Sequence, residues 1–312
     1  MKAVAEAPGK VIITGEHFVV HGSLALAAAI GRKTRVEASR SDGLVLETPV
    51  AVGPRRAGSE PLPVEKLIRE MYRERSQRPR VRVAISSGLP TGAGLGSSAS
   101  TMVATVAAVS RLEGWSMDLA SIVDTAMLGE RHVHGKPSGI DVAVSALGGV
   151  LQFRVGEEPR VLDLPAPVKL LVVYSGERRS SKRLISKVSS MKDVYPHLFS
   201  RLCDSASLVT ALATGALLES RLEDLGRLMT YNHAVLGMVG ASNRKLDGLV
   251  DLCLGYGCLG AKLTGAGGGG SVLGVLPRGG EKRVAARLVR RGLRAFLSEV
   301  PSGGVKVWTS EG

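Results

Sequence analysis

The sequence predicts an α+β protein built of two layers with a cleft between them. Strand-like and helical runs are mixed along the chain without a regular alternation of strand and helix. The 312 residues are 44% hydrophobic, which is enough for a large core and, on length, for one large domain or two ordinary ones. A stretch rich in proline and charge at 156–167 gives the domain boundary. We therefore predict an N-terminal domain at 1–160 and a C-terminal domain at 161–312.

Hydrophobic periodicity and turn residues place the elements of the N-terminal half. In chain order we predict strands at 2–7 and 11–15, a loop at 53–63, a helix at 64–74, a strand at 81–86, a buried helix that begins near residue 97, a helix at 117–128 and a strand at 148–155.

The same reasoning places the elements of the C-terminal half. We predict a strand at 168–174, helices at 181–191, 197–218, 222–239 and 246–255, a glycine-rich segment at 260–271, a strand at 272–276, a helix at 281–297 and a strand at 305–308.

Composition limits the class of protein. No apolar run reaches the length of a membrane span, and the first ten residues carry no hydrophobic signal region, so we expect a cytoplasmic protein without a membrane partner. The three cysteines, Cys203, Cys253 and Cys258, lack metal-ligand spacing and are predicted to be reduced core residues.

The net charge of +13 favours polyanionic ligands and makes nucleic acid a partner to consider. Basic clusters lie at 55–56, 178–183 and 287–294, with carboxylates between them and no aromatic residues interleaved. The last cluster alternates with apolar residues at helical spacing, which favours a solvated helix face. A protein whose positive field attracts small acidic substrates would have the same net charge.

The stretch LPTGAGLGSSAS at 89–100 is the strongest local signal in the chain. Gly92, Gly94 and Gly96 permit positive φ and a close ligand approach, and Ser97 and Ser98 stand at the predicted start of a helix. Free N–H groups and the helix dipole make such a loop an anion site, typically for a polyphosphate. The alternative is a flexible hinge before a core helix. No lysine follows the last glycine, which excludes a P-loop.

Two further segments carry clustered polar residues. Lys10 follows a bend at 8–9, where a lysine is usually solvated, but Glu16, His17 and His21 follow closely and that density favours a site.

Between the helix at 117–128 and the strand at 148–155 lie two carboxylates and two histidines. Glu130 is predicted to end a helix and Asp141 to follow a Pro/Gly loop. On spacing alone, two such carboxylates are most often unrelated surface charges. His132 and His134 form an HxH pair without a third ligand nearby, so loop histidines are favoured over a metal site.

Three motifs resemble, in order, those of the GHMP small-molecule kinases. They are APGKVIITGEHFVVHG at 7–22, LPTGAGLGSSAS at 89–100 and KLTGAGGGGSV at 262–272. The resemblance covers nearly the whole chain. It implies an N-terminal domain like ribosomal protein S5 domain 2, a ferredoxin-like C-terminal domain and an active site in the cleft between them.

The first motif and ERHVHGKPSGIDVAVSALGG, from Glu130, are most similar to the branch of that family that phosphorylates mevalonate. The resemblance implies ATP- and Mg²⁺-dependent phosphorylation of mevalonate at its primary C5 hydroxyl, a step of isoprenoid biosynthesis. The enzymatic alternative is another kinase of the family, such as one acting on phosphomevalonate. The non-enzymatic alternative is a basic RNA-binding protein on an S5-like fold. We expect no nucleic-acid partner, and the resemblance leaves a homodimer open.

The resemblance also implies roles for residues of the first two motifs and of the segment after Glu130. Asp141 is implied to face the substrate hydroxyl as a catalytic residue, with Lys10 beside it. Glu16 and His17 are implied to line the substrate pocket together with them. The implied phosphate-binding residues are Pro90, Gly92, Ala93, Gly94, Leu95, Gly96, Ser97 and Ser98.

Two implied roles remain. Ser98 and Glu130 are implied to hold Mg²⁺, for which hard oxygen ligands are suitable. The third motif would either close over the phosphates or support the loop structurally, and these two interpretations stay open. The residues of the third motif to which either interpretation applies are Thr264, Gly265, Gly267 and Gly268.

Overall fold

The computed structural model describes residues 1–48, 60–90, 92–177, 181–300 and 303–310 of the chain. The basic cluster at 55–56, most of the loop predicted at 53–63 and the first residues of the basic cluster at 178–183 lie outside the described residues.

The described residues form strands and helices in a mixed order. The strands are β1 (Lys2–Thr14), β2 (Ala25–Arg40), β3 (Val45–Glu47), β4 (Val81–Ser87), β5 (Val150–Phe153), β6 (Arg160–Leu162), β7 (Val168–Tyr174), β8 (Gly260–Thr264), β9 (Ser271–Val275), β10 (Arg294–Val300) and β11 (Lys306–Ser310). The helices are α1 (Pro63–Arg73), α2 (Ser97–Glu113), α3 (Leu119–His134), α4 (Ile140–Leu147), α5 (Ser181–Val194), α6 (Pro196–Leu218), α7 (Leu222–Met238), α8 (Arg244–Gly255) and α9 (Glu281–Arg290). A short 3₁₀ helix, Phe18–His21, follows β1.

The first sheet has the strand order β11-β1-β2-β4-β3, and β5 joins it by pairing with β2 and with β6. Strands β3 and β4 are parallel, and the other pairs in the described part of this sheet are antiparallel. Strand β11 returns from the far end of the chain to pair with β1, with Ser310 opposite Lys2. The second sheet has the antiparallel order β10-β7-β9-β8. The chain passes from the first sheet to the second between β6 and β7. The domain boundary at 160/161 stays a prediction.

Helix α2 is the centre of the N-terminal core. Its residues from Ala99 to Leu112 are buried on nearly every side, because α1, α3, α4 and the strands β1 and β2 all pack against it. A helix that is apolar all round belongs inside a core. The buried helix predicted from residue 97 is confirmed, and its N-terminus is held rigidly where the glycine-rich loop ends.

The second half of strand β1, which is a strand of the first sheet, packs against β7 of the second sheet and against α7. Its residues Val11 and Ile13 share one hydrophobic cluster with Val172 of β7 and Met229 of α7. The strand is therefore buried on both faces over its second half, which explains its nearly continuous apolar sequence. Helix α7 lies close to β8, where a Cβ built on Gly260 would stand 1.9 Å from the Gly226 carbonyl oxygen.

Two predictions about the elements are wrong. The bend predicted at 8–9 does not interrupt β1, since Pro8 lies at a register shift in the pairing with β2, a position where a missing N–H is tolerated. The helix predicted at 281–297 ends at Arg290. Gly292 then adopts a φ of 79°, and the following residues form β10 against β7.

Three smaller observations bear on the class of protein. No helix among the described residues is both long and apolar enough to cross a membrane. All three cysteines are free, with Cys253 and Cys258 buried and Cys203 half-buried. Arg287 and Arg291 of the last basic cluster lie over the ring of Tyr256, at 5.5 and 5.8 Å from its centroid.

Candidate active site

A cavity of about 580 Å³ is lined by residues of both predicted domains. The N-terminal part contributes the end of β1, the turn after it and the segment from α3 to the start of α4. The C-terminal part contributes α5 and the turn after β8. The cavity brings together residues singled out from the sequence, among them Lys10, Glu16, His17, Glu130 and Asp141.

Lys10 and Asp141 form an ion pair in this cavity, with the Lys10 Nζ 2.9 Å from the Asp141 Oδ1. Lys10 points from β1 into the protein and is 1% exposed, so the solvated alternative for this lysine is wrong. Asp141 lies in the first turn of α4, a helix that the sequence analysis did not predict. The helix dipole favours a carboxylate at that position. Two strongly polar groups from distant parts of the chain therefore meet at one point of the cavity wall.

The glycine-rich loop has the backbone that its sequence predicts. Gly92, Gly94 and Gly96 have φ values of 73°, 83° and 73°, and Gly96 is the N-cap of α2. The loop is tied to β1, because the Lys10 N–H donates to the Leu95 carbonyl oxygen at 2.9 Å. A Cβ on Gly96 would stand 2.7 Å from the Lys10 Cγ. These contacts favour a fixed loop over a flexible hinge, and a loop that leads into a helix N-terminus is suited to an anion.

Glu130 is placed differently from its prediction. Helix α3 continues to His134, so Glu130 lies within the helix, where it is 2% exposed. The Ser98 hydroxyl at the start of α2 donates a hydrogen bond to the Glu130 Oε1. A hydroxyl and a carboxylate in contact are hard oxygen donors, and Mg²⁺ is commonly held by one or two such protein groups together with substrate phosphates. The pair therefore has the chemistry to hold Mg²⁺.

The two histidines near Glu130 lie on α3 and not in a loop. His134 is one turn beyond Glu130, and its Nε2 lies 3.6 Å from the Glu130 Oε2. His132 contacts a different carboxylate, Glu70 of α1, at 3.2 Å. Within the described ranges, no three His, Cys, Asp or Glu side chains are grouped as metal ligands.

Glu16 is bound to Lys262, a residue that the sequence analysis quoted within the third motif but gave no role. The Lys262 Nζ donates to the Glu16 Oε1, and both side chains are almost completely buried. Burial raises the pKa of Glu16 and lowers the pKa of Lys262, while each partner's opposite charge acts against that change. No local pattern in the sequence marks this role, because the complete burial of the short strand that carries Lys262 is a property of the folded structure.

His17 follows Glu16 in a left-handed conformation with a φ of 61°. Its Nε2–H donates to the Ala266 carbonyl oxygen at 2.8 Å, so the ring is held by the turn after β8. A non-glycine residue in this conformation is strained and persists only where its surroundings hold it. His21, on the 3₁₀ helix, also lines the cavity, and its ring stands edge-on to Phe199.

The third motif makes backbone contacts with the first two. The Thr264 hydroxyl accepts from the Ile12 N–H at 2.9 Å and donates to the Ile12 carbonyl at 3.1 Å. The Ser271 hydroxyl donates to the Ala93 carbonyl of the glycine-rich loop at 2.8 Å. Gly267 is packed so closely on Ala241 that a Cβ would lie 2.1 Å from its carbonyl oxygen. These contacts are consistent with a third motif that supports the first two structurally. Closure of the third motif over a phosphate stays a prediction.

Comparison with known proteins agrees with this arrangement. Residues 63–149 match the family model of the GHMP kinases N terminal domain, and residues 213–298 match that of the GHMP kinases C terminal domain. The chain is 36% identical to the mevalonate kinase of Aeropyrum pernix, over 98% of both proteins.

Two solved structures share the architecture of both predicted domains. L. major mevalonate kinase in complex with R-mevalonate aligns with a TM-score of 0.82 and 28% identity over 96% of each chain. Methanococcus jannaschii mevalonate kinase aligns with a TM-score of 0.81 and 28% identity, over 96% of this chain and 98% of that one. The predicted α+β fold with two domains is therefore confirmed.

Proposed function

The chain belongs to the GHMP kinase family, and we propose from this that it transfers the γ-phosphoryl group of ATP to the C5 hydroxyl of mevalonate. The products are ADP and 5-phosphomevalonate, so the reaction is a step of isoprenoid biosynthesis. The observation that carries the proposal is the Lys10–Asp141 ion pair, 2.9 Å long, packed against the glycine-rich loop. The pair supports the proposal because a carboxylate able to accept a proton and a cation lie next to the loop proposed to hold the phosphates.

Asp141 is the group proposed to take the hydroxyl proton. Its Oδ1 faces Lys10, which leaves Oδ2 for the substrate. As the bond between the C5 oxygen and the γ-phosphorus forms, the bond from that phosphorus to the β,γ-bridging oxygen breaks, and the proton moves to the Asp141 carboxylate. Lys10 holds the carboxylate in place and stabilises the negative charge that develops on the attacking oxygen.

The glycine-rich loop and the N-terminus of α2 are proposed to hold the ATP phosphates. Positive φ at Gly92, Gly94 and Gly96 turns the loop so that its backbone can approach the phosphates closely. Phosphoryl transfer depends mainly on position and on neutralisation of charge, and a fixed helix N-terminus supplies both. We assign Pro90, Ala93, Leu95, Ser97 and Ser98 to the same subsite.

Ser98 and Glu130 are proposed to hold Mg²⁺ beside the phosphates. Their contact and the burial of Glu130 agree with this assignment. When bound, Mg²⁺ would neutralise the charge that develops on the phosphate oxygens.

Glu16 and His17 are proposed to form the wall of the acceptor pocket. His17, whose Nε2–H is held by the Ala266 carbonyl oxygen, is assigned to the part of the wall that faces the substrate carboxylate. Lys10 is not assigned to that carboxylate, because its ammonium is already paired with Asp141. A cytoplasmic location belongs to the same proposal, which includes no nucleic-acid or membrane partner and leaves a homodimer open.

A panel of acceptors with ATP and Mg²⁺ tests the proposed reaction. The purified protein is offered mevalonate, phosphomevalonate, homoserine and galactose, and ADP release is measured together with the phosphorylated product. We expect mevalonate alone to be phosphorylated at a useful rate, at its primary hydroxyl. Turnover of phosphomevalonate without turnover of mevalonate would replace this substrate assignment by the alternative within the family.

A further inference from the structure

Two ion pairs include residues of the cavity wall. Asp141 pairs with Lys10, and Glu16 pairs with Lys262. The two pairs are electrostatically coupled, since the Lys10 charge acts on both Glu16 and Lys262. Lys262 lies in β8 of the second sheet, whereas its partner follows β1 of the first sheet.

The Glu16–Lys262 pair is costly to bury. Lys262 is 0% exposed and Glu16 is 1% exposed, so both charges have lost their hydration. A buried ion pair can often be replaced by packed apolar residues without loss of stability, so stability alone gives no reason for this pair. Only one of its two members, Glu16, belongs to the cavity lining.

The rest of the segment around Glu16 is also held by the C-terminal part of the chain. The Gly15 N–H donates to the Asn232 Oδ1 at 3.3 Å, and His17 donates to the Ala266 carbonyl. A second carboxylate oxygen, the Glu16 Oε2, is buried without a hydrogen-bond partner. The Lys262 ammonium is therefore the cation that fixes this carboxylate in the wall of the acceptor pocket.

We propose that Lys262 is a positioning residue for the acceptor: it acts on substrate binding through Glu16, whose carboxylate it holds in the cavity wall. The inference rests on the proposed function for the identity of the acceptor. It predicts that the kinetic effect of losing Lys262 depends on the presence of the Glu16 carboxylate, because Lys262 itself does not line the cavity.

A double-mutant cycle measures that dependence. KM for mevalonate, KM for ATP, kcat and Tm are determined for the wild type, Lys262→Met, Glu16→Gln and the double variant. Because loss of one partner leaves a buried charge uncompensated, we expect Lys262→Met to raise KM for mevalonate by about tenfold or more. KM for ATP should change less than about twofold, since the Lys262 ammonium donates to Glu16 and to the Leu263 carbonyl oxygen, neither of which belongs to the glycine-rich loop. In the Glu16→Gln background, Lys262→Met should raise KM for mevalonate no further.

Two additional variants separate positioning from general loosening of the fold. Lys262→Arg keeps the cation and should recover part of the affinity for mevalonate; it also replaces Lys262→Met in the cycle if that variant does not fold. Val250→Ala truncates a buried side chain of α8 outside the cavity. It should lower Tm and leave KM for mevalonate unchanged.

Three results would overturn the inference. The first is a folded Lys262→Met enzyme with the wild-type KM for mevalonate. The second is that Lys262→Met raises this KM equally in the wild type and in the Glu16→Gln variant. The third is that Val250→Ala raises this KM as much as Lys262→Met does at an equal loss of Tm. A wild-type enzyme that does not phosphorylate mevalonate would instead contradict the proposed function, and the cycle would then be measured with the acceptor that is turned over.

Discussion

The Lys10 ammonium lies 2.9 Å from the Asp141 carboxylate, although the two residues come from a strand and from a helix that are far apart in the sequence. The strand is held in the first sheet by its pairing with β2, where Lys10 lies opposite Ala29, and the helix packs against it. The ion pair is therefore held by the fold before any substrate binds. Such preorganisation is what general-base assistance to a hydroxyl requires.

Replacement of Asp141 by asparagine tests the proton acceptor. Asp141→Asn keeps the size of the side chain and removes its charge, so kcat should fall by about 10²- to 10⁴-fold, the usual contribution of a general base. KM for ATP should change little, because the glycine-rich loop is untouched. Steady-state kinetics with both substrates checks this, and near-normal turnover would show that positioning and charge neutralisation carry the reaction alone.

Lys10 and Asp141 should act as one unit. Lys10→Met removes the cation that holds the carboxylate and should also lower kcat. Because the two residues serve a single step, the Lys10→Met/Asp141→Asn enzyme should be much less impaired than the product of the single losses. Losses in kcat that multiply fully would mean that the two residues serve independent steps.

Glu130 is tested by a metal titration. Changes in residues that merely support a metal ligand typically cost about 10- to 100-fold in metal affinity. Glu130→Gln removes the charge of a proposed direct ligand, so the Mg²⁺ concentration for half-maximal activity should rise by at least as much. Glu70→Gln is the matched control, since Glu70 is also a carboxylate that contacts a histidine of α3. An unchanged titration for Glu130→Gln would exclude it as a ligand.

The sequence was most informative where function depends on local structure. The glycine-rich loop, its positive φ values and the helix after it follow from residues that are adjacent in the chain, and all three are present. The switch from α9 to β10 was missed, because the apolar spacing of 294–300 suits a helix as well as a strand. The pairing of β10 with β7, which settles that choice, is a long-range interaction.

The sequence also predicted one part of the candidate site and missed another. The resemblance to the GHMP kinases implied that Lys10 lies beside Asp141, and the structure places them in contact. The partner of Glu16 was not predictable, since Lys262 lies far along the chain and no local pattern links the two residues. Burial of a lysine depends on the surrounding sheet, which periodicity in a five-residue strand does not reveal.

Gly96 offers a matched test of the glycine-rich loop. Gly96 and Gly114 are the two caps of α2, and both have a φ of 73°. A Cβ at Gly96 would meet the Lys10 Cγ at 2.7 Å, whereas a Cβ at Gly114 would have no atom within 4 Å.

The two alanine variants should therefore differ in activity and not in backbone strain. Each should lose about 1 kcal/mol or more of stability to its positive φ. Only Gly96→Ala should also lower kcat/KM for ATP, by about 10- to 100-fold, because it displaces Lys10 and the loop. Equal activity of the two variants in steady-state assays would contradict a role of this packing in catalysis.

The last prediction concerns stability in mild acid and rests on His233 of α7. Burial lowers the pKa of His233, and the Lys262 charge adds to the effect. Its Nδ1 accepts the Leu263 N–H at 3.3 Å and its Nε2 lies 3.2 Å from Asp247, so the native ring carries its proton on Nε2 and is neutral. Protonation of Nδ1 would remove that acceptor beside the buried Lys262.

The sign of the effect follows from proton linkage. Between the lowered native pKa and the ordinary value of about 6.5, the unfolded chain binds more protons than the native protein. The free energy of unfolding should therefore be fully maintained above that value and decrease as the pH falls below it. Urea unfolding between pH 7.5 and pH 5 should show a smaller decrease in the free energy of unfolding for His233→Gln than for the wild type.

His21, whose pKa burial also lowers, would account for part of the decrease that remains in His233→Gln. His197→Gln, at an exposed position of α6, serves as the control and should follow the wild type. A decrease in His233→Gln as large as that in the wild type would show that the neutral ring contributes nothing to this pH dependence.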